Sequence, residues 1–158
     1  MAERSAVRVR RELIGIKAQI IKNALLSALA ALGSYISIRL GGWDGALDLL
    51  VSLMAVDYAT GLLLAFVFRR SHKTPGGGAS SAVGFKGLVK KALTLVLVGI
   101  AASVDNALGT SWARPAVIFF FAANEGLSIL ENTALMGVPY PEALRAALEA
   151  LGEKGKKK

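Results

Sequence analysis

The chain has 158 residues, of which 54% are hydrophobic, and it contains no cysteine. Its net charge is +8, from 19 Lys and Arg against 11 Asp and Glu. The missing thiols exclude disulfides, thiolate metal sites and cysteine nucleophiles. Because the basic residues flank apolar runs rather than one face of a soluble helix, they favour a membrane protein over a nucleic-acid-binding protein.

Four apolar segments approach the length needed to cross about 30 Å of hydrocarbon. They are residues 23–40, 49–68, 88–108 and 115–134. The first follows a basic start, as in a signal sequence, but no small-residue cleavage site follows it, and we predict a retained span. The predicted fold is an all-α integral membrane protein of about four transmembrane helices, with a transmembrane domain at 23–136.

Amphipathic segments are predicted on both sides of this domain. Within residues 1–22, apolar side chains recur at helical spacing among arginines and lysines, which predicts a basic helix lying at the membrane interface. Residues 137–158 begin with Val138-Pro139-Tyr140-Pro141, which breaks the fourth helix. We predict that a short amphipathic helix and a lysine-rich cytoplasmic tail follow. The glycine-rich link at 71–84 is expected to be mobile.

The distribution of charge predicts the orientation of the chain. Nearly all Lys and Arg fall before the first span, between the second and third, or after the fourth, whereas the opposite side has Arg39 and Arg114. Since Lys and Arg are retained in the cytoplasm, both termini are predicted to lie there. The predicted membrane-surface anchors are Lys86, Lys90 and Lys91 on the basic side and Trp43 and Trp112 on the other.

Polar side chains interrupt two of the spans. Asp57 lies near the middle of the second, and the fourth has a stripe spaced i, i+1, i+4, i+7 and i+8 that shares one helical face: Asn124, Glu125, Ser128, Glu131 and Asn132. Charges inside a membrane are costly and usually face protein or water. Two interpretations stay open: the stripe forms hydrogen bonds between helices, or it lines a water-filled path.

Small residues at helical spacing predict sites of close helix packing. They are Gly61 and Ala65 in the second span and Ser27 and Ser34 in the first. No pattern indicates an enzyme, a metal or a cofactor, since the single histidine, His72, lies in a loop and no phosphate-binding loop is present. We therefore predict a non-enzymatic protein with neither cofactor nor metal.

The chain contains a set of short motifs in fixed order: DYATG at 57–61, SSAVGFKGLVKK at 80–91, VDN at 104–106, ANEGLSILEN at 123–132 and GVPYP at 137–141. Together these motifs resemble those of the phage lysis and toxin-secretion holin family. The resemblance covers about residues 49–151, and its most specific part is 124–141.

This resemblance implies a small phage-encoded protein of the bacterial cytoplasmic membrane. Such proteins form homo-oligomers and open lesions, through which a cytoplasmic endolysin, or in some relatives a toxin, leaves the cell. Lysis needs no direct contact with the endolysin, and the bilayer is the other partner. Two alternatives remain: a small proton-coupled channel or transporter using Asp57 and Glu125, and a membrane adaptor that forms no pore.

Overall fold

The computed structural model describes residues 2–74, 76–143 and 146, and these residues form helices and no strand. The helices are α1 (Ala2–Arg39), α2 (Gly45–Leu63), α3 (Ser81–Leu108) and α4 (Ala113–Met136), and a π-helical turn at Leu64–Phe68 continues α2. Each of the four is long and apolar enough to cross a membrane, which confirms the predicted fold class. The predicted C-terminal amphipathic helix lies mostly outside the described residues.

Helix α1 is a compact unit of its own, separate from the unit formed by the rest of the chain. It runs without a break through 38 residues, about 57 Å, so the predicted boundary at residue 22 does not coincide with an end of the helix. Its apolar part, Gly15–Arg39, is the first span. The interfacial placement of residues 1–22 stays a prediction.

In the second unit, α4 packs along α2 and α3. The core is apolar, with Leu47 and Leu50 of α2, Val98 of α3 and Ile118 of α4 fully buried. Many other Leu, Ile, Val and Phe side chains stay exposed on the outer faces, as expected of helices in contact with lipid. Because lipid is as apolar as leucine, close packing and polar contacts, rather than the hydrophobic effect, must hold these helices together.

The link between α2 and α3 is shorter than its composition predicts. Helix α3 already begins at Ser81, so residues 81–84 are helical. Within the link, the Ser71 amide donates to the Gly77 carbonyl at 3.0 Å, and the Thr74 hydroxyl donates to the Gly78 carbonyl at 2.6 Å. Gly77 has φ +74°, a conformation open to glycine at little cost. Internal hydrogen bonds thus satisfy part of the backbone of this link, and its mobility stays a prediction.

Candidate functional site

A cluster of polar side chains joins α2, α3 and α4 inside the predicted membrane segments. We call Asp57, Thr60, Lys91, Glu125 and Asn132 the polar cluster. Lys91 Nζ donates to Asp57 Oδ2 at 2.8 Å and also to Glu125 Oε2. Asn132 Nδ2 donates to Asp57 Oδ1 at 3.2 Å and to Thr60 Oγ1 at 3.1 Å. Each of the three helices therefore contributes a group to one continuous network.

The charges in this cluster are largely withdrawn from the surroundings. The side chains of Asp57, Lys91 and Glu125 are 13%, 13% and 14% exposed. Desolvating a charge costs several kcal/mol per ion, roughly, and only a partner in good geometry offsets that cost. One ammonium serves two carboxylates here, so removing Lys91 would leave both without a counter-ion. The arrangement makes the balance of buried charge among the three helices depend on a single cation.

The predicted stripe on α4 divides into two lines. Glu125 and Asn132, seven residues apart, face the polar cluster, and Ser128 lines the space beside Asp57. Asn124 and Glu131, also seven residues apart, are exposed. Neighbours on a helix differ by about 100°, so one residue is enough to turn a side chain out of the contact. The inner line makes hydrogen bonds between helices, in keeping with one of the two open interpretations.

Lys91 departs from its predicted role as a surface anchor. Its ammonium lies between two carboxylates of other helices instead of extending to the end of the bundle. Lys91, Thr94 and Val98 are spaced i, i+3 and i+7 and so share one face of α3, and the structure buries Thr94 and Val98 on that face. The other predicted anchors, Lys86, Lys90, Trp43 and Trp112, are exposed, and their contact with headgroups stays a prediction.

The predicted packing residues have different surroundings. A Cβ on Gly61 would lie 3.7 Å from Asn132 Nδ2, so this glycine is next to the polar cluster at the contact between α2 and α4. Ala65, one turn later, is partly buried. Ser27 and Ser34 are exposed on α1. Close packing of another helix against Ala65, Ser27 or Ser34 stays a prediction.

A second network, at the opposite end of the bundle, is centred on Arg114 and was not predicted. Arg114 is buried, and its Nε donates to the Leu40 carbonyl at 2.6 Å. Nη1 donates to Asp44 Oδ2 at 2.6 Å, and Nη2 donates to the Gly42 carbonyl at 2.8 Å. A Cβ on Gly41, which has φ +83°, would come within 2.8 Å of Arg114 Cδ. The guanidinium thus ties the link before α2 to the first turn of α4.

Asp105, at the end of α3, completes this network by capping α4. Its carboxylate accepts from the amides of Ala113 at 3.0 Å and Arg114 at 2.8 Å, and from the Thr110 hydroxyl at 2.7 Å. The first amides of a helix have no partner within it, so the carboxylate satisfies groups that would otherwise be unpaired. The sequence clue was a lone arginine beside the start of a predicted span, with Asp105 near the end of the preceding span and Asp44 in the link before the second span.

Asp44 has two roles in the same network. Its Oδ1 accepts from the Leu47 amide at 2.9 Å, which caps α2. The hydrogen bond from Arg114 is the largest cause that lowers the pKa of Asp44, from 3.8 to about 2, and the Leu47 amide adds to it. The side chain of Asp44 is therefore deprotonated and negatively charged at neutral pH.

Two clefts reach the polar cluster. The larger, of about 1750 Å³, lies between α2, α3, the end of α4 and the link at 71–80. The smaller, of about 190 Å³, approaches from the side of Asn124 and Glu125. Within the described residues, no three His, Asp or Glu side chains are grouped so that they could hold a metal ion.

A family model and one phage relative identify the family of this chain. The chain matches the model of the bacteriophage holin family over residues 34–153. It is 35% identical over 136 residues to an uncharacterized 14.9 kDa protein in the nagH 3′ region of Clostridium perfringens, covering 85% of this chain and 97% of that protein. It is 31% identical over 106 residues to a probable holin of Bacillus phage phi105, covering 66% and 73%. No solved structure matches.

Proposed function

The chain belongs to the bacteriophage holin family, and we propose that it acts as a holin. In this proposal it lies in the bacterial cytoplasmic membrane as a multi-pass protein with both termini in the cytoplasm. Copies of the chain associate and open lesions, through which a cytoplasmic endolysin, or a toxin, leaves the cell. Lysis of the host follows from the access of the endolysin to the cell wall.

The observation that supports this proposal most directly is the polar cluster. Stable packing of three membrane helices needs no charge, yet Asp57, Lys91 and Glu125 meet inside the bundle. Satisfied buried ions add little net stability over apolar contacts, but they make the closed packing specific and costly to disturb. When the helices separate, water can form hydrogen bonds with these same polar groups. Apolar side chains in their place could not line a water-filled opening.

We therefore assign two successive roles to the polar residues. In the closed bundle, Asn132 joins α4 to α2 through Asp57, and Lys91 of α3 is the counter-ion of Asp57 and Glu125. In the associated form, these groups and Ser128, with the exposed Asn124 and Glu131, line the lesion. The proposed orientation puts Lys86 and Lys90 at the cytoplasmic headgroups and Trp43 and Trp112 at the opposite interface, following the distribution of basic residues.

Inducible expression in bacteria tests the proposal. One strain expresses the chain alone, a second an endolysin without an export signal, and a third both. We expect the chain alone to stop growth abruptly and collapse the membrane potential, measured with a potential-sensitive dye. Among the three strains, we expect only the one that expresses both proteins to lose turbidity rapidly and to release endolysin activity into the medium.

Other outcomes point to the alternative functions. Ion flux without release of the endolysin would show that the chain opens no lesion wide enough for a folded protein, and would favour a channel or transporter. Unchanged growth and potential at verified membrane expression would reject the holin proposal and favour an adaptor. A C-terminal reporter fusion that is active outside the cytoplasm would reject the proposed orientation separately.

A further inference from the structure

The larger cleft combines cationic and apolar walls at one end of the helix bundle. Four lysines line it. Lys91 is paired with Asp57 and Glu125, and the other three are Lys73 from the link after α2 and Lys86 and Lys90 from α3. Two phenylalanines also line it, Phe66 and Phe85, which are 66% and 68% exposed. A membrane protein with such a cleft offers cations and an adjoining surface for acyl chains in the same place.

We propose that this cleft binds the headgroup of an anionic phospholipid, with the acyl chains along Phe66 and Phe85. The proposal depends on the bundle lying in a membrane and does not depend on whether the chain opens lesions. It requires a net positive lining and lateral access for lipid.

The charges of the lining favour an anion. Lys86 and Lys90 are four residues apart on α3 and so lie on one face of the helix. Within the described part of the chain, no carboxylate lies within ion-pair distance of Lys73, Lys86 or Lys90. Two carboxylates line the cleft: Asp57, which is paired with Lys91, and Glu131. The three lysines thus outnumber the one carboxylate that has no such pairing in the cleft.

The position of the cleft favours a lipid over a soluble anion. Lys86 and Lys90 belong to the first turns of a helix long and apolar enough to span a membrane, and the proposed orientation puts this end of the helix at the headgroups. The exposed rings of Phe66 and Phe85 offer an apolar surface in the same cleft as the lysines, along which acyl chains can lie. Basic pockets between membrane helices are typical sites for anionic headgroups.

Hydrogen bonds hold two walls of the cleft in place. The link at 71–80 is held by its internal hydrogen bonds, and Lys73 belongs to it. At the other wall, the Tyr140 and Thr133 hydroxyls share a 2.7 Å hydrogen bond, which holds the segment after α4 against that helix. Tyr140 and Lys73 both line the cleft.

Lipid retention by the purified full-length protein tests the proposal. The protein is incorporated into bilayer discs of equal phosphatidylglycerol and phosphatidylcholine, extracted, and analysed by native mass spectrometry for bound lipid. The test variant is Lys86→Gln/Lys90→Gln. The control is Arg69→Asn/Arg70→Gln, which removes two charges from the same end of the bundle without altering the lining, and asparagine tolerates the φ of +50° at position 69.

We expect the unmodified chain and the control to retain phosphatidylglycerol over phosphatidylcholine. In the test variant, the ratio of bound phosphatidylglycerol to bound phosphatidylcholine should fall roughly fivefold for each lysine removed. Glu131→Gln should raise the preference by a similar factor, a gain that damage to the fold would not produce. This variant keeps the proposal testable if the double lysine variant does not fold.

Three results would overturn the proposal. Equal losses in the test and control variants would show a general effect of surface charge. Absence of any preference in the unmodified chain would reject an anionic lipid site. Displacement of the bound lipid by excess inorganic phosphate, with equal retention of both lipids, would assign the cleft to a soluble anion instead.

Discussion

The ammonium of Lys91 on α3 lies 2.8 Å from the carboxylate of Asp57 on α2, and it also contacts the carboxylate of Glu125 on α4. The buried charges of three helices therefore balance one another. Moving any one of these helices changes the free energy of packing the other two together.

Removing this cation should destabilise the bundle strongly. Lys91→Met keeps the apolar stem of the side chain but leaves two largely buried carboxylates without a counter-ion, and we expect a loss of about 3 kcal/mol in the free energy of unfolding. Thermal unfolding in detergent, followed by circular dichroism, measures the change. Lys22→Met, at an exposed position of α1, is the matched control and should change stability by less than about 0.5 kcal/mol. Equal effects would contradict the assigned role of Lys91.

Glu125→Gln should advance lysis if the proposed function is right. The variant keeps a hydrogen-bond acceptor beside Lys91 but loses the charge, which weakens the contact between α3 and α4 by about 1–2 kcal/mol. At equal expression, the turbidity of an induced culture that also makes endolysin should fall earlier than with the unmodified chain. Asp48→Asn, at an exposed position in the first turn of α2, should leave the timing unchanged. Unaltered timing with Glu125→Gln would rule out a role for that carboxylate.

The contact between Asp44 and Arg114 should make stability depend on acidity in a defined window. The pKa of Asp44 is depressed in the folded chain, mainly by the hydrogen bond from Arg114, so its stabilising contribution is complete above pH 3.8 and is lost as the pH falls through about 2. The difference in unfolding free energy between the unmodified chain and Asp44→Asn should be constant above this window and shrink within it. In an Arg114→Gln background, the same difference should lose most of its pH dependence. A difference that keeps its full slope without Arg114 would contradict the assignment.

Two adjacent glycines in the link after α2 should respond differently to alanine. Gly76 and Gly77 both have positive φ, +85° and +74°, so alanine costs backbone strain of about 1 kcal/mol at each. Only at Gly77 would the added Cβ overlap the backbone carbonyl of Arg69; at Gly76 no atom lies within 4 Å. We expect Gly77→Ala to raise the rate of proteolytic cleavage in this link well above that of Gly76→Ala. Equal cleavage of both variants would show that the ordered link does not depend on this contact.

Local sequence patterns determined the membrane helices and their number. Apolar length predicts a span, because every backbone group in the bilayer core needs an internal partner and a helix of about 20 residues supplies it. The same periodicity identified a polar face on α4, since residues seven apart return to the same side of a helix. These are properties of a segment taken alone, and they need no knowledge of its neighbours.

The tertiary structure decided which side chains meet across helices. Periodicity offers Lys90 and Lys91 as equal candidates, and only the packing of α3 against α2 and α4 selects Lys91 as the counter-ion of Asp57 and Glu125. Arg114 likewise finds Leu40 and Asp44 more than 65 residues away along the chain. The sequence alone determined faces and spans; the pairing of those faces depended on helix rotation and approach, which are set by the packing of all three helices at once.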